Sequence, residues 1–319
     1  MKALREHLND YLALRRGLGF GLVRCGKALA HFVTFMEHRN AHFIQTSLAL
    51  EWAQQPVSAK PVTWAAHLSY VRTFARYVSP FDARTEIPPE YLLPHQPRRV
   101  RPYMYTDDEV QRLMAAAFCL PIDRNHVESS VFKQETYYFL IGLLAVTGLR
   151  ISEAINLKVK NVDLRTALLT IEGAKLGKSR LVPLHASTVE ALRRYDTIRG
   201  AHFPRQPNDF FFVNRVGKRL DQGSIRRTFY AMSQVAGLRE CTVTQPNKGP
   251  RIHDFRHRFA LQTLLNWYQR GEDAERKLPV LSTFLGHVHV SDTYWYLTAY
   301  PQLMTSAIER FEQRWEAES

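Results

Sequence analysis

The sequence predicts a mainly α protein with a small antiparallel β-sheet, laid out as a small helical domain joined to a larger, mainly helical domain that carries the sheet. Three observations predict it. Apolar residues recur at helical spacing along most of the chain, and two short apolar runs flank a glycine-containing tip near its middle. Between Pro94 and Pro102 the chain reads PHQPRRVRP, a proline-rich, basic stretch that cannot hold a regular helix. A length of 319 residues also exceeds the size at which one core usually keeps growing, so two domains are the sensible division.

Taken in order, helical periodicity runs through Leu4 to Leu14, Leu22 to Phe35 and Trp64 to Tyr77, with Pro61 where a first helical turn tolerates it. These segments place a helical domain in residues 1–95, followed by a linker in 96–104. Thr106 and Glu109 have the spacing of a capping box, so a new helix and a second domain, 105–319, start near Tyr105. The longest apolar run, Tyr137 to Val146, reads as a buried helix, since it is too short to cross a bilayer. Leu168 to Glu172 and Arg180 to Leu184 form a hairpin around a flexible tip, Gly173 to Lys178, and Asp209 to Asn214 is expected as a further short strand. Leu303, Ala307, Phe311 and Trp315 make an apolar stripe on a final helix.

Composition narrows the function. Hydrophobic residues at 45% and charged residues at 23% match an ordinary globular protein, while a formal charge of +13 makes nucleic acid the leading partner. The plain alternative is that the charge only keeps the chain soluble. Cys25, Cys119 and Cys241 lie far apart without a CxxC or Cys/His cluster, which suggests neither disulfides nor a zinc site and fits a reducing cytoplasm. The N-terminus has no apolar leader.

Four separated clusters carry chemistry, and each alone has an ordinary structural explanation. In Thr147-Gly148-Leu149-Arg150-Ile151-Ser152-Glu153 an apolar helix ends at a glycine, and Arg150 and Glu153 share a face three residues apart; alone they are a surface pair. Lys175 and Lys178 sit on the hairpin tip, either as solvated charges or as mobile cations able to reach a phosphate. His253-Asp254-Phe255-Arg256-His257 opens a helix with His253 and Arg256 one turn apart. His253 and His257 have metal-pair spacing, but no third ligand is evident and Arg256 would compete with a metal, so no metal is expected. Leu285-Gly286-His287 is followed by Tyr294-Trp295-Tyr296, aromatics that alone read as core.

Together, in this order, the four clusters resemble the conserved boxes of the tyrosine recombinase, or phage integrase, family: TGLRISE, the hairpin lysine with its RLVPL strand, HDFRHRFA, and LGH with a tyrosine nine positions on, spanning Thr147 to Tyr296. The helical N-terminal portion looks like the family's core-binding domain, with a weaker pattern. The stretch from Asn266 to Leu281 makes the spacing between the third and fourth boxes longer than is usual in the family.

The resemblance implies a C-shaped clamp on double-stranded DNA and site-specific recombination through a covalent 3′-phosphotyrosyl intermediate. Carried over position by position, Arg150 and Arg256 hold the scissile phosphate and Lys175 donates a proton to the leaving 5′ oxygen. His253 and His287 hydrogen-bond the phosphate and assist proton movement, Tyr296 is the nucleophile, and Glu153 orients its neighbours. Lys178 competes with Lys175, and Tyr294 with Tyr296. Arg98, Arg99 and Arg101 of the linker, with Lys178 and Arg180 of the hairpin, are the expected DNA contacts. The family also implies a tetramer on DNA, in which the final helix docks on a neighbouring recombinase or packs on its own domain.

Physical chemistry fits these roles. Attack on a phosphodiester builds charge on the nonbridging oxygens, which planar guanidiniums can stabilise bidentately. Only about one tyrosine in a thousand is ionised at pH 7, so a base or cationic surroundings must help the nucleophile. Neither a Walker loop nor an acidic set spaced for Mg²⁺ is present, so no cofactor is expected. Two rivals remain: a type IB topoisomerase-like activity, which relaxes supercoils without sequence dependence, and a catalytically silent DNA-binding accessory protein.

Overall fold

The computed structural model describes residues 2–55, 57–94, 101–173, 179–204, 209–240, 249–287, 289 and 293. The chain separates into two compact units, residues 1–100 and 101–319, each built on its own core.

Among the described residues the first unit contains four helices, α1 (Leu4–Gly17), α2 (Val23–His38), α3 (Thr46–Gln54) and α4 (Pro61–Val78). Pro61 occupies the first helical position, where its missing N–H costs nothing. Leu8, Leu29, Phe32, Met36, Ile44, Val71 and Phe74 form the buried centre. The sequence reading passes over α3 because nine residues give too short a periodic signal. Its Trp52 is nonetheless a tie point, packing edge-on against Phe32, stacking on His67 and donating from Nε1 to His31 Nδ1 at 3.0 Å. One side chain thereby joins α2, α3 and α4, with its buried N–H satisfied.

The second unit opens with α5 (Asp107–Ala115). Its capping box forms as the sequence predicts, with Glu109 N donating to Thr106 Oγ1 and Thr106 N to Glu109 Oε2. A short 3₁₀ turn leads to α6 (Val127–Thr147), which is apolar on most of its circumference and is buried accordingly, with Phe132, Leu140, Ile141 and Leu144 at the centre of the unit. Helix α6 stops at Gly148, whose positive φ a side chain would strain and whose Cβ would lie 2.9 Å from the Phe259 ring. Then come α7 (Ile151–Asn156) and the strands β1 (Val162–Asp163), β2 (Leu168–Ile171) and β3 (Arg180–Pro183).

The sheet is antiparallel in the order β1-β2-β3, with Val162 opposite Leu169 and Ile171 opposite Arg180. Strand β1 is absent from the sequence reading because two residues carry no alternation. After α8 (Ala186–His202), the strand expected at Asp209 to Asn214 is replaced by two isolated bridges, Lys158 with Phe210 and Val213 with Arg219. The Asn214 side chain accepts from the backbone of Val216 and Lys218, turning the chain before a ladder can extend.

Three further helices complete the described unit: α9 (Gln222–Val235), α10 (Asp254–Gln269) and α11 (Ala274–Leu285). The unusually long interval between the third and fourth sequence boxes is taken up by the end of α10 and by α11, which continues through Pro279. No helix among the described residues is long and apolar enough to cross a membrane.

Candidate active site

The turn at Gly148 puts Arg150 at the N-cap of α7. From there its backbone N–H donates to Glu153 Oε2 at 2.9 Å and its Nη1 to Glu153 Oε1 at 2.8 Å. Arg180, at the start of β3, approaches the same carboxylate from the sheet, with Nη1 3.0 Å from Oε1 and Nη2 2.8 Å from Oε2. Glu153 is buried. Burial would raise its carboxyl, but Arg180 first and then Arg150 overcome that and hold it below the usual carboxylate range.

Asp254, fully buried in the first turn of α10, accepts from the Arg251 backbone N–H at 2.9 Å and guanidinium at 2.8 Å, which fixes the entry to the helix. His253 precedes it, and Arg256 lies one turn on with 2% of its surface exposed. Arg256 Nη1 donates to the Gly148 carbonyl at 3.0 Å and Nη2 to the Leu285 carbonyl.

Helix α11 ends on Gly286, whose positive φ ends the helix so that the His287 N–H returns to the Ser282 carbonyl at 3.0 Å. Three arginines then receive its last carbonyls in succession: Arg180 Nε takes Phe284, Arg256 takes Leu285 and Arg150 Nη2 takes Gly286. A helix C-terminus carries partial negative charge and unsatisfied carbonyls, so the guanidiniums satisfy it and are concentrated by it. His287 is delivered directly beside them, and its Nδ1 lies 2.7 Å from Oγ1 of the fully buried Thr293.

Two other imidazoles complete the cluster. The rings of His253 and His257 meet edge to face at 4.9 Å. His253 keeps an exposed surface, yet desolvation by the packed atoms around its ring first, then the Arg256 charge, lowers it from its ordinary value. Burial, helped by His253 and Arg251, pushes His257 down to about 3. Both are therefore neutral at pH 7.

This has a consequence for stability. The unfolded chain protonates His257 below its ordinary 6.5, while the folded chain resists until about 3, so stability present above 6.5 is lost as the pH falls. Lowering the pH from 7 to 5 is expected to cost about 2 kcal/mol from this group, and Glu153 adds its loss only at more acid pH. Urea unfolding at several pH values checks this, and a His257→Gln variant with an undiminished pH slope would contradict it.

The structure thus brings together Arg150, Glu153, His253, Arg256 and His287 from three sequence boxes. Lys175, Lys178, Tyr294 and Tyr296 lie outside the described residues, as do Arg98, Arg99 and the apolar stripe from Leu303 to Trp315. Arg101 is exposed. Arg180 departs from expectation: its side chain is only 8% exposed and is committed to Glu153 and the Phe284 carbonyl, which suits a scaffold and not a surface contact to DNA. The sequence reading also misses Thr293, for which its place three residues before Tyr296 is the sole signal.

Residues 104–302, which include every cluster residue, match the model of the phage integrase family. The chain belongs to that family. The recombinase is 49% identical over 317 residues to a putative integrase/recombinase, y4rB, of Sinorhizobium fredii, covering 99% of each chain. It is 27% identical to the tyrosine recombinase XerD of Staphylococcus aureus over 93% of this chain and 94% of the relative. Among solved structures, the Tn1549 transposon integrase in complex with transposon right end DNA superposes with a TM-score of 0.64 at 15% identity, over 97% of this chain and 99% of that one. That likeness shows the fold, and family membership makes the chain a site-specific recombinase.

Proposed function

We propose that the recombinase cuts and rejoins duplex DNA at a specific target site through Tyr296. The observation that carries this reading is the convergence of Arg150 and Arg256 with His253 and His287 on the end of α11. Such a pocket is cationic and its arginines are held by backbone carbonyls, so it is organised before substrate arrives.

In the cleavage step the Tyr296 oxygen attacks phosphorus as its proton departs, and the bond from phosphorus to the 5′ oxygen breaks. Arg150 and Arg256 stabilise the charge that grows on the nonbridging oxygens. His253, neutral at pH 7, accepts the phenol proton, and His287 donates a hydrogen bond to the phosphate. Lys175 protonates the leaving 5′ oxygen. The phosphodiester is stored as a 3′-phosphotyrosyl ester, so a 5′ hydroxyl of the second strand can displace Tyr296 without ATP. Both units contact the DNA, Arg98, Arg99, Arg101 and Lys178 supplying phosphate contacts, and the assembly on DNA is a tetramer. Affinity then falls steeply with added salt.

The test is to incubate the purified chain with DNA flanking its own gene, nicked near the crossover so that the cleaved fragment diffuses away. A detergent-resistant adduct on a 3′ phosphate, formed in EDTA at one sequence position, is the expected product. Relaxation of any supercoiled plasmid without site preference would favour the topoisomerase reading, and binding with no adduct would favour the silent accessory protein.

A further inference from the structure

We propose that Arg180 is a positioning residue for DNA cleavage, which keeps the Arg150 charge available to the phosphate and sets His287 in place. The proposal rests on the reading of this cluster as the phosphate-cleaving site.

Glu153 is the pivot. Its carboxylate faces two guanidiniums, and in a buried site a carboxylate bound to one arginine alone would neutralise it. Arg180 donates one hydrogen bond to each oxygen of Glu153, whereas the Arg150 side chain donates one, to Oε1. The carboxylate is therefore shared. With Asp254 paired to Arg251, Arg150, Arg180 and Arg256 together carry three positive charges against Glu153, and helix-end carbonyls offset only part of the excess. The remaining positive potential is what an incoming phosphate meets, and Arg150, with 27% of its side chain exposed, is the member of the Glu153 pair that can reach it.

The third donor sets geometry. Arg180 Nε holds the Phe284 carbonyl at 2.7 Å, three residues before His287, so the end of α11 cannot shift relative to Glu153 without breaking the bond. Gly286 makes room for this, since a Cβ there would lie 2.7 Å from Arg180 Nη1. A lysine supplies charge at one point and cannot serve two carboxylate oxygens and a carbonyl in one plane.

The experiment compares full-length Arg180→Met, Arg180→Lys and Gly286→Ala with the wild type on a nicked duplex that the wild type cleaves. Circular dichroism fixes a temperature at which each variant is folded. At saturating DNA, Arg180→Met and Gly286→Ala are expected to cleave about 100-fold more slowly, and Arg180→Lys to recover less than a tenth of wild-type rate, while each binds DNA within about threefold of wild type. A second duplex carries sulfur in place of the bridging 5′ oxygen, a leaving group that needs no proton. The defect should persist on it, because phosphate stabilisation is what fails. Wild-type rates in Arg180→Lys, DNA affinity lost in step with rate, or recovery on the sulfur substrate would each overturn the proposal. Failure of the underlying reading looks different, because the wild type itself would then form no adduct.

Discussion

Tyr296→Phe is expected to form no covalent DNA adduct while binding the same duplex within about twofold of wild type. The substitution removes one oxygen and leaves the ring, so packing changes little. On the proposed reading affinity comes from many phosphate contacts, none of which depends on the nucleophile. Loss of a nucleophile cannot be compensated by the remaining pocket, because arginines and histidines stabilise an attack that no longer has an attacking atom; the fall in cleavage should exceed about 10³-fold. The measurement is adduct yield on the nicked duplex beside an equilibrium binding curve. Tyr294→Phe is the comparison, and it should keep both activities. An adduct of undiminished yield in Tyr296→Phe, or its loss in Tyr294→Phe alone, would transfer the nucleophile to the other tyrosine.

Local rules written in the sequence account for most of the fold. The Thr106/Glu109 cap, the proline at the start of α4, the glycine ends of α6 and α11 and the β2–β3 pairing all follow from residues in one local stretch of chain. What is not legible depends on distance. Nothing in the order of residues says that Arg180 donates to a carbonyl 104 positions away, or that Arg256 spans 108 positions to Gly148. A basic residue beside a lysine-bearing tip reads as a DNA contact until its burial is known. Asp209 to Asn214 misleads for the opposite reason, since its apolar residues have strand character but the Asn214 side chain closes the backbone into a turn.

The site also explains why four ordinary motifs acquire meaning only as a set. The first and fourth boxes each supply a side chain and also the backbone carbonyls that hold arginines of other boxes. The first gives Arg150 and the Gly148 carbonyl, the third gives Arg256, and the fourth gives His287 and the helix-end carbonyls. On the proposed reading, the guanidiniums that would stabilise the phosphate are the same ones that tie the boxes together, so loss of one arginine should lower both rate and stability.

Arg256 is where that coupling should be greatest. Its guanidinium is buried and spans the ends of α6 and α11. In Arg256→Lys a single ammonium can reach one of the two carbonyls, leaving a buried acceptor without its donor at about 1–3 kcal/mol. The phosphate loses a planar, bidentate partner in the transition state, which is worth on the order of 10²–10³ in rate. Urea unfolding measures the first effect. Single-turnover cleavage at saturating protein measures the second, at a temperature low enough that the variant remains folded. If the variant is destabilised but retains more than a tenth of wild-type cleavage, Arg256 is a structural tie only and the clamp must be assigned elsewhere. If both fall together, the buried guanidinium has the two roles that its position between the boxes requires.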